Sequence, residues 1–224
     1  MTWPTVKELT ERILRIVQDR SFTADDVLVY LNECLLEIAG SEDPQILLPD
    51  LEAQADVTTS TSGPSCDLPE NFQKNLFGCY SLTQNRPIKV FNSKILLLQR
   101  FRPIDQVGLV RGVAQVGKKL WYQRIPSTAE TLTLYFYGKP SPLVDENSRP
   151  ECLPDHLARR LLENGVIARM YDLIEDGMDG AKVNTTHYLD LYNAALLELA
   201  AFIGPEAHLP VEIEDDLHLD CLLN

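Results

Sequence analysis

The sequence predicts an α+β protein in which a four-helix bundle-like helical domain contains an inserted antiparallel β module and ends in an extended C-terminal segment. Apolar residues recur at helical spacing near both ends of the 224-residue chain. In the middle of the chain, segments rich in β-branched and aromatic residues are bounded by turn residues. The chain is 45% apolar and 24% charged, which is typical of globular proteins and excludes collagen-like and disordered classes. Helices on both sides of a run of strands predict an inserted module.

Residues 1–42 are predicted to form an N-terminal helical hairpin. Thr5 and Glu8 have the spacing of a capping box at the start of the first helix, and Thr23 with Asp26 begins the second. The short connection between the helices favours an antiparallel pair. The apolar stripes predicted to be buried are Leu9, Ile13, Ile16 and Val17 in the first helix, and Val27, Leu31, Cys34, Leu35 and Ile38 in the second.

Residues 43–142 are predicted to form the β-rich inserted module. Proline punctuates its first half, where residues 57–63 fit either an exposed strand or a loop. Residues 120–125 and Thr131–Gly138 are rich in β-branched and aromatic side chains and are predicted strands. The segment 112–119 resembles a phosphate-binding loop but lacks the final Ser or Thr, and a strand follows it instead of a helix. We therefore interpret it as a hairpin turn.

Residues 143–204 are predicted to be a linker and a C-terminal helical hairpin that completes the helical domain. Pro154 and Asp155 suit a first helical turn, and this helix is expected to run to about Glu175. The last helix has one apolar stripe at Leu189, Tyr192, Leu196, Leu199 and Ile203, and a second at Tyr188, Leu191, Ala195 and Phe202. So wide an apolar surface indicates burial against more than one neighbour, either within the bundle or in an adjacent subunit.

The sequence offers no arrangement typical of an enzyme, so we expect no catalytic residue, no cofactor and no metal. The five cysteines include no CxxC pair, and the four histidines lack i,i+4 partners. Four acidic residues cluster at the predicted helix junction, but their spacing does not match a calcium-binding loop. We favour a solvated loop or an acidic assembly surface over a cation site for Asp172, Glu175, Asp176 and Asp179. No apolar run is long enough to span a membrane, and no membrane partner is expected.

Charge is unevenly distributed along the chain, whose formal net charge is −13. No Lys or Arg follows Lys182. Residues 205–224 form an acidic and apolar C-terminal tail, which is either a solvated segment or an interaction segment that docks a partner. The apolar residues of this tail are Leu209, Val211, Ile213, Leu217, Leu219, Leu222 and Leu223.

The order of the predicted elements resembles the head–tail adaptor, or connector, proteins of tailed bacteriophages. The resemblance extends over nearly the whole chain and is one of pattern, without a diagnostic signature. The segments that support it are the opening helix from Trp3 to Arg20, the second helix from Phe22 to Glu33, the turn 103–108, the strand end 134–140, the segment 153–157 that leads into the helix reaching Tyr171, and the final helix around 188–192.

This resemblance implies a structural virion protein at the neck, assembled in the host cytoplasm as a dodecameric ring below the portal protein. The ring would continue the DNA channel, let DNA pass without specific binding, and dock tail or nozzle proteins. It implies that the tail 205–224 grips the portal and that the second apolar stripe packs between subunits. We expect the acidic junction to line the channel and six basic residues of the β module, Arg100, Arg102, Arg111, Lys118, Lys119 and Arg124, to face other proteins.

Three alternatives remain from the sequence alone, the least favoured of which is a hydrolase that uses scattered carboxylates. Another neck or tail component, such as a tail terminator or tube protein, shares the structural role, although tube proteins are mainly β. A cellular helical scaffold or regulatory domain that binds a partner helix belongs to a different class of protein.

Overall fold

The structure is a computed structural model that describes residues 2–101, 106–176 and 182–204. Within these residues the chain is a mixture of helices and two β-sheets, which confirms the α+β class. The helices are α1 (Val6–Val17), α2 (Ala24–Gly40), α3 (Lys94–Arg100), α4 (Asp155–Glu175) and α5 (Val183–Ile203). The strands are β1 (Glu52–Thr58), β2 (Ser65–Asp67), β3 (Phe72–Ser81), β4 (Arg86–Pro87), β5 (Lys89–Phe91), β6 (Gly112–Val116), β7 (Lys119–Gln123) and β8 (Thr131–Gly138).

Both predicted capping boxes are present and begin the first two helices. The Glu8 backbone N–H donates to Thr5 Oγ1 at 3.2 Å, and the Thr5 backbone N–H donates to Glu8 Oε2 at 3.0 Å. Thr23 and Asp26 make the same reciprocal pair at the start of α2. These bonds satisfy N–H groups that have no partner inside a helix. Gly40 is the last residue of α2.

The described chain divides into two compact units. The helical unit contains the residues up to 52 and those from 137 onward, and the β unit contains the rest. In the helical unit α4 contacts α1, α2 and α5, and its most extensive contact is with α5. Leu31, Ile38, Leu161 and Val166 are fully buried in its core. The linker that precedes α4 is held by Asn32, whose side chain donates to the Leu143 carbonyl at 3.0 Å and accepts from the Leu143 N–H at 2.8 Å.

The β unit contains two four-stranded sheets, ordered β1-β8-β3-β4 and β2-β7-β6-β5. Its core takes side chains from both sheets, including Leu134 and Phe136 of β8 and Leu120 and Tyr122 of β7. The segment 112–119 is a β6–β7 hairpin, as expected, and Gly117 has the positive φ of 59° that its turn requires. The segment 57–63 is partly strand and partly loop, because β1 ends at Thr58 and a loop follows.

The prediction of a purely antiparallel module is wrong at one pair of strands. β5 and β6 are parallel, with Val90 opposite Val113. Parallel neighbours require a crossover, and the short helix α3 lies on that connection. α3 begins after Ser93, whose Oγ accepts from the Leu96 N–H at 3.2 Å, and its Leu97 side chain is fully buried.

Candidate functional site

The α4–α5 pair positions most of the described residues that the sequence marks for assembly. α4 ends at Glu175, and α5 begins at Val183. Of the residues predicted to form the acidic junction, Asp172, Glu175 and Asp176 are described, and Asp179 lies outside the described residues. All seven apolar tail residues named above also lie outside the described residues, as does Arg102.

Glu175 is the N-terminal cap of α5. Its Oε1 accepts from the backbone N–H of Asn184 at 3.1 Å, and its Oε2 accepts from the backbone N–H and hydroxyl of Thr185 at 3.1 and 2.8 Å. The residue at the usual cap position, Lys182, makes no side-chain cap bond. A carboxylate at the end of α4 therefore satisfies the free N–H groups of the next helix and also favours its dipole.

The hydrogen bonds to Glu175 lower the pKa of its carboxyl group. Partial desolvation pushes this pKa up, but the N–H and hydroxyl of Thr185 and the amides of Asn184 outweigh that effect. The net pKa lies below the ordinary value of 4.5. Because these donors bind the charged form, the ionised carboxylate is the state that stabilises the junction.

We expect Glu175→Gln to lower the melting temperature at neutral pH and to have little effect in acid. A carboxyl group whose pKa is lower in the folded state stabilises the fold above its unfolded pKa, about 4.3 for Glu, and loses this contribution as the pH falls through the folded pKa. The difference in melting temperature between the native chain and the variant should therefore shrink below about pH 4. Thermal unfolding followed by circular dichroism from about pH 3 to neutral pH measures it, and a difference independent of pH would contradict the capping role of the charge.

The other two described acids of the junction share one cation. Lys182 Nζ lies 2.8 Å from Asp172 Oδ1 and 3.3 Å from Asp176 Oδ1. The hydrogen bond to Asp172, followed by that to Asp176, raises the pKa of Lys182. Lys182 is the last Lys or Arg of the sequence, and it offsets one of these two negative charges. The acidic junction thus keeps a negative charge, although each of its described carboxylates has a local partner.

The four residues of the second stripe occupy different environments. Ala195 is predicted to pack between subunits, but it is fully buried within the helical unit. It therefore presents no surface to a neighbouring subunit. Tyr188 stacks on Tyr171 of α4, with ring centroids 5.7 Å apart. Leu191 and Phe202 are 37% and 60% exposed, and the Phe202 ring meets His156 edge-on at 4.8 Å. Of the four, Leu191 and Phe202 present the substantial apolar surface.

α5 has a larger exposed apolar surface than either predicted stripe describes. We define the α5 outer face as the exposed large apolar residues of the helix, Val183, Leu189, Leu191, Leu197 and Phe202, which at about 100° per residue are spread around the side of α5 that faces away from its buried residues. Leu189 belongs to the first predicted stripe but is 45% exposed, whereas Tyr192, Leu196 and Leu199 of that stripe are buried in the core. Leu197, at 61% exposed, belongs to neither predicted stripe. Leu191 and Phe202 share one side of α5, and exposed apolar residues that lie together on a surface are typical of protein interaction sites.

The described cysteines lie in environments that keep their thiols protonated. Burial raises the pKa of Cys34 and Cys79 to about 12 and that of Cys66 and Cys152 to about 11, so all four are protonated thiols at neutral pH. Among the described residues no group of three or more His, Cys, Asp and Glu side chains is placed to hold a metal ion. No helix in the described part of the chain is long and apolar enough to cross a bilayer.

The basic residues of the β unit lie at several places. Lys118 and Lys119 are exposed at the tip of the β6–β7 hairpin, and Arg100 is exposed at the end of α3. Arg124 is half-buried, and its aliphatic chain lies against Gly108, where an added Cβ would approach Arg124 Cδ to 2.9 Å. These cations therefore divide between exposed residues at the hairpin tip and the end of α3, and Arg124, which packs against Gly108.

A family model described as SU10 adaptor protein matches residues 4–209. This match includes both units, the α4–α5 pair and the first residues of the tail. No curated protein matches the sequence.

Proposed function

Because the chain belongs to the SU10 adaptor protein family, whose members are phage structural proteins, we propose that it is a head-to-tail adaptor that forms a dodecameric ring below the portal. In this position the ring continues the DNA channel in the neck of the virion and docks tail components on its lower side. The family match over residues 4–209 is the observation on which the proposal rests.

The α5 outer face is the proposed contact between neighbouring subunits of this ring. It exposes five large apolar side chains to solvent in the single chain. Burying one such side chain fully contributes about 1.5–3 kcal/mol, so a face of this size supplies a useful share of an interface. Leu191 and Phe202 of the second predicted stripe remain part of this contact.

The acidic junction is the proposed lining of the channel. Asp172, Glu175 and Asp176 are fixed by local hydrogen bonds and ion pairs, and Asp179 follows Asp176 by three residues in the sequence. A wall with net negative charge repels the phosphates of passing DNA and prevents it from binding. The junction needs only an excess of carboxylates over its single lysine for this role.

The tail, residues 205–224, is the proposed portal-binding segment. Its seven apolar residues are spaced over fifteen positions, from Leu209 to Leu223, without an intervening Lys or Arg. An extended segment of this composition can place apolar side chains in pockets of a partner while its carboxylates meet basic side chains there.

We expect the purified chain to bind the portal of its own phage and to form closed rings on it. Leu209→Ser, Val211→Ser and Ile213→Ser introduced together should weaken this binding by at least about 100-fold, since each lost apolar contact is worth about 1.5–3 kcal/mol. Native mass spectrometry of the portal complex gives the number of bound copies, and a titration followed by sedimentation gives the affinity.

The matched control keeps the apolar residues and removes charge from the same segment, with Glu212→Gln and Glu214→Gln. This variant should bind the portal with an affinity within about threefold of the native chain at moderate salt, because exposed charges contribute little to affinity. Absence of any binding between the native chain and its portal would contradict the adaptor function itself. Equal binding by the triple Ser variant would contradict only the role of the tail.

A further inference from the structure

Residues 53–136 of the β unit carry a net positive charge, although the protein as a whole is acidic. Residues 53–136 contain ten Lys and Arg but only five Asp and Glu, a formal charge of +5, whereas the remaining residues contain ten and 28, a charge of −18. The net charge of −13 therefore conceals two parts of opposite sign. A positively charged unit favours contact with segments or partners of complementary charge.

Part of this positive charge lies beside exposed apolar residues around α3. Lys94 places its ammonium group 3.1 Å from the centroid of the Trp121 indole ring, an arrangement that holds the lysine over β7. Leu97 of the same helix is fully buried. The two residues after Lys94 turn outward, and Ile95 is 68% and Leu96 50% exposed.

The β6–β7 hairpin extends this surface. Val116 lies opposite Lys119, and Ala114 lies opposite Trp121, so these four side chains share one side of the sheet. Val116 is 42% exposed, and Lys119 beside it is exposed as well. We define the α3 surface as Lys94, Ile95, Leu96, Val116, Lys119 and Trp121, with Lys118 at its edge.

The sequence contains a segment with the complementary composition. Residues 205–224 include six carboxylates and no Lys or Arg. Apolar residues alternate with other residues at Leu209, Val211 and Ile213, and a second apolar group ends the chain. We propose that the α3 surface docks residues 205–224 of the same chain when the chain is not bound to its portal.

Tethering makes this contact favourable even when each individual interaction is weak. A segment attached to its own receptor has an effective concentration in the millimolar range when its linker spans the distance. An extended chain reaches about 3.3 Å per residue, so the tail can bring Leu209 about 17 Å and Asp220 about 53 Å from Gly204, compared with a radius of gyration of about 12 Å for a domain the size of the β unit. The tail carboxylates would meet Lys94, Lys118 and Lys119, while Ile95 and Leu96 would receive apolar side chains.

This inference goes beyond the adaptor function and makes a separate statement about the free chain. The tail would be held on the β unit in the unassembled protein and transferred to the portal on assembly. Portal binding is measured on the complex and self-docking on the chain alone, so either can fail while the other holds.

Zero-length carbodiimide cross-linking of the native chain at low salt, followed by peptide mass spectrometry, tests the contact. We expect amide cross-links from Lys94, Lys118 or Lys119 to the carboxylates between Glu206 and Asp220. Lys118→Glu with Lys119→Glu should reduce the yield of the remaining Lys94 cross-links at least about fivefold, and so should salt at about 0.5 M, which screens the attraction. Ile95→Ser with Leu96→Ser should reduce the yield while leaving every lysine in place.

The matched control reverses two exposed cations of α1, Lys7→Glu and Arg15→Glu, and should leave the cross-links from the α3 surface unchanged. Tail cross-links to Lys7 or Lys182 in place of the α3 lysines would overturn the proposal, and so would the absence of tail cross-links. In a mixture of ¹⁴N- and ¹⁵N-labelled chains, mixed-isotope cross-links would overturn docking within one chain. Binding of a short single-stranded DNA that depends on Lys118 and Lys119, without tail cross-links, would assign the surface to nucleic acid instead.

Discussion

Leu197→Asp combined with Phe202→Asp is expected to abolish ring formation on the portal while leaving the helical unit folded. Both side chains are about 60% exposed in the single chain, so their replacement removes little of the core. In a ring, each subunit contact would lose two apolar side chains and gain two carboxylates that must be desolvated. Because about 60% of each side chain is left to bury, two losses of about 0.9–1.8 kcal/mol weaken each contact by at least about 20-fold, and the desolvated carboxylates add to this.

Negative-stain images and native mass spectra of the chain mixed with portal measure this effect directly. Val29→Asp with Leu36→Asp is the matched control, since these residues are 56% and 44% exposed on α2 and receive the same two charges outside the α5 outer face. The control should form rings like the native chain. Rings of normal stoichiometry in the double variant, with circular dichroism showing native helix content in both proteins, would exclude the α5 outer face as the subunit contact.

The elements that local sequence signals define were predictable. Thr5 with Glu8 and Thr23 with Asp26 carry their capping partners within four residues, so the starts of α1 and α2 follow from the sequence alone. β8 matches its predicted bounds because its aromatic and β-branched residues are bounded by turn residues. By contrast, α3 has only seven residues, too few for its 3.6-residue period to stand out from a short apolar run.

Interactions between residues far apart in sequence were not predictable. Glu130 is buried, and its carboxylate accepts from Gln84 Nε2 at 2.7 Å and from the Val110 N–H at 3.2 Å. Its sequence neighbours give no sign of these partners. Glu175 likewise caps a helix that begins eight residues later, whereas the sequence marks it only as one acid in a cluster. The spacing of α5 correctly indicates a wide apolar surface, but which side faces the core depends on where α4 lies.

Gly165 is a position in α4 whose importance only the structure makes plain. Glycine inside a helix costs about 1 kcal/mol relative to alanine, so its presence there needs a packing reason. A Cβ on Gly165 would lie 2.9 Å from Cys34 Sγ of α2 and 3.0 Å from Tyr192 Cε2 of α5. Both neighbours are buried, and Cys34 is held by Arg169, whose Nη1 lies 2.6 Å from its Sγ. Three helices therefore approach one another at a point where a side chain would collide with its neighbours.

Gly165→Val is expected to destabilise the protein by about 3 kcal/mol, because added carbon atoms in a closely packed core force side chains and backbone to shift. For a chain of this size, this corresponds to a fall in melting temperature of roughly 6–12 °C, measurable by differential scanning calorimetry. Gly165→Ala should destabilise less, since its better helix propensity offsets part of the clash. Combining Gly165→Ala with Cys34→Ala removes the nearer obstacle, so the double variant should be more stable than the sum of the two single effects predicts. Strictly additive effects, or a Gly165→Ala variant more stable than the native chain, would mean that α2, α4 and α5 have room at this point and that the glycine does not set their spacing.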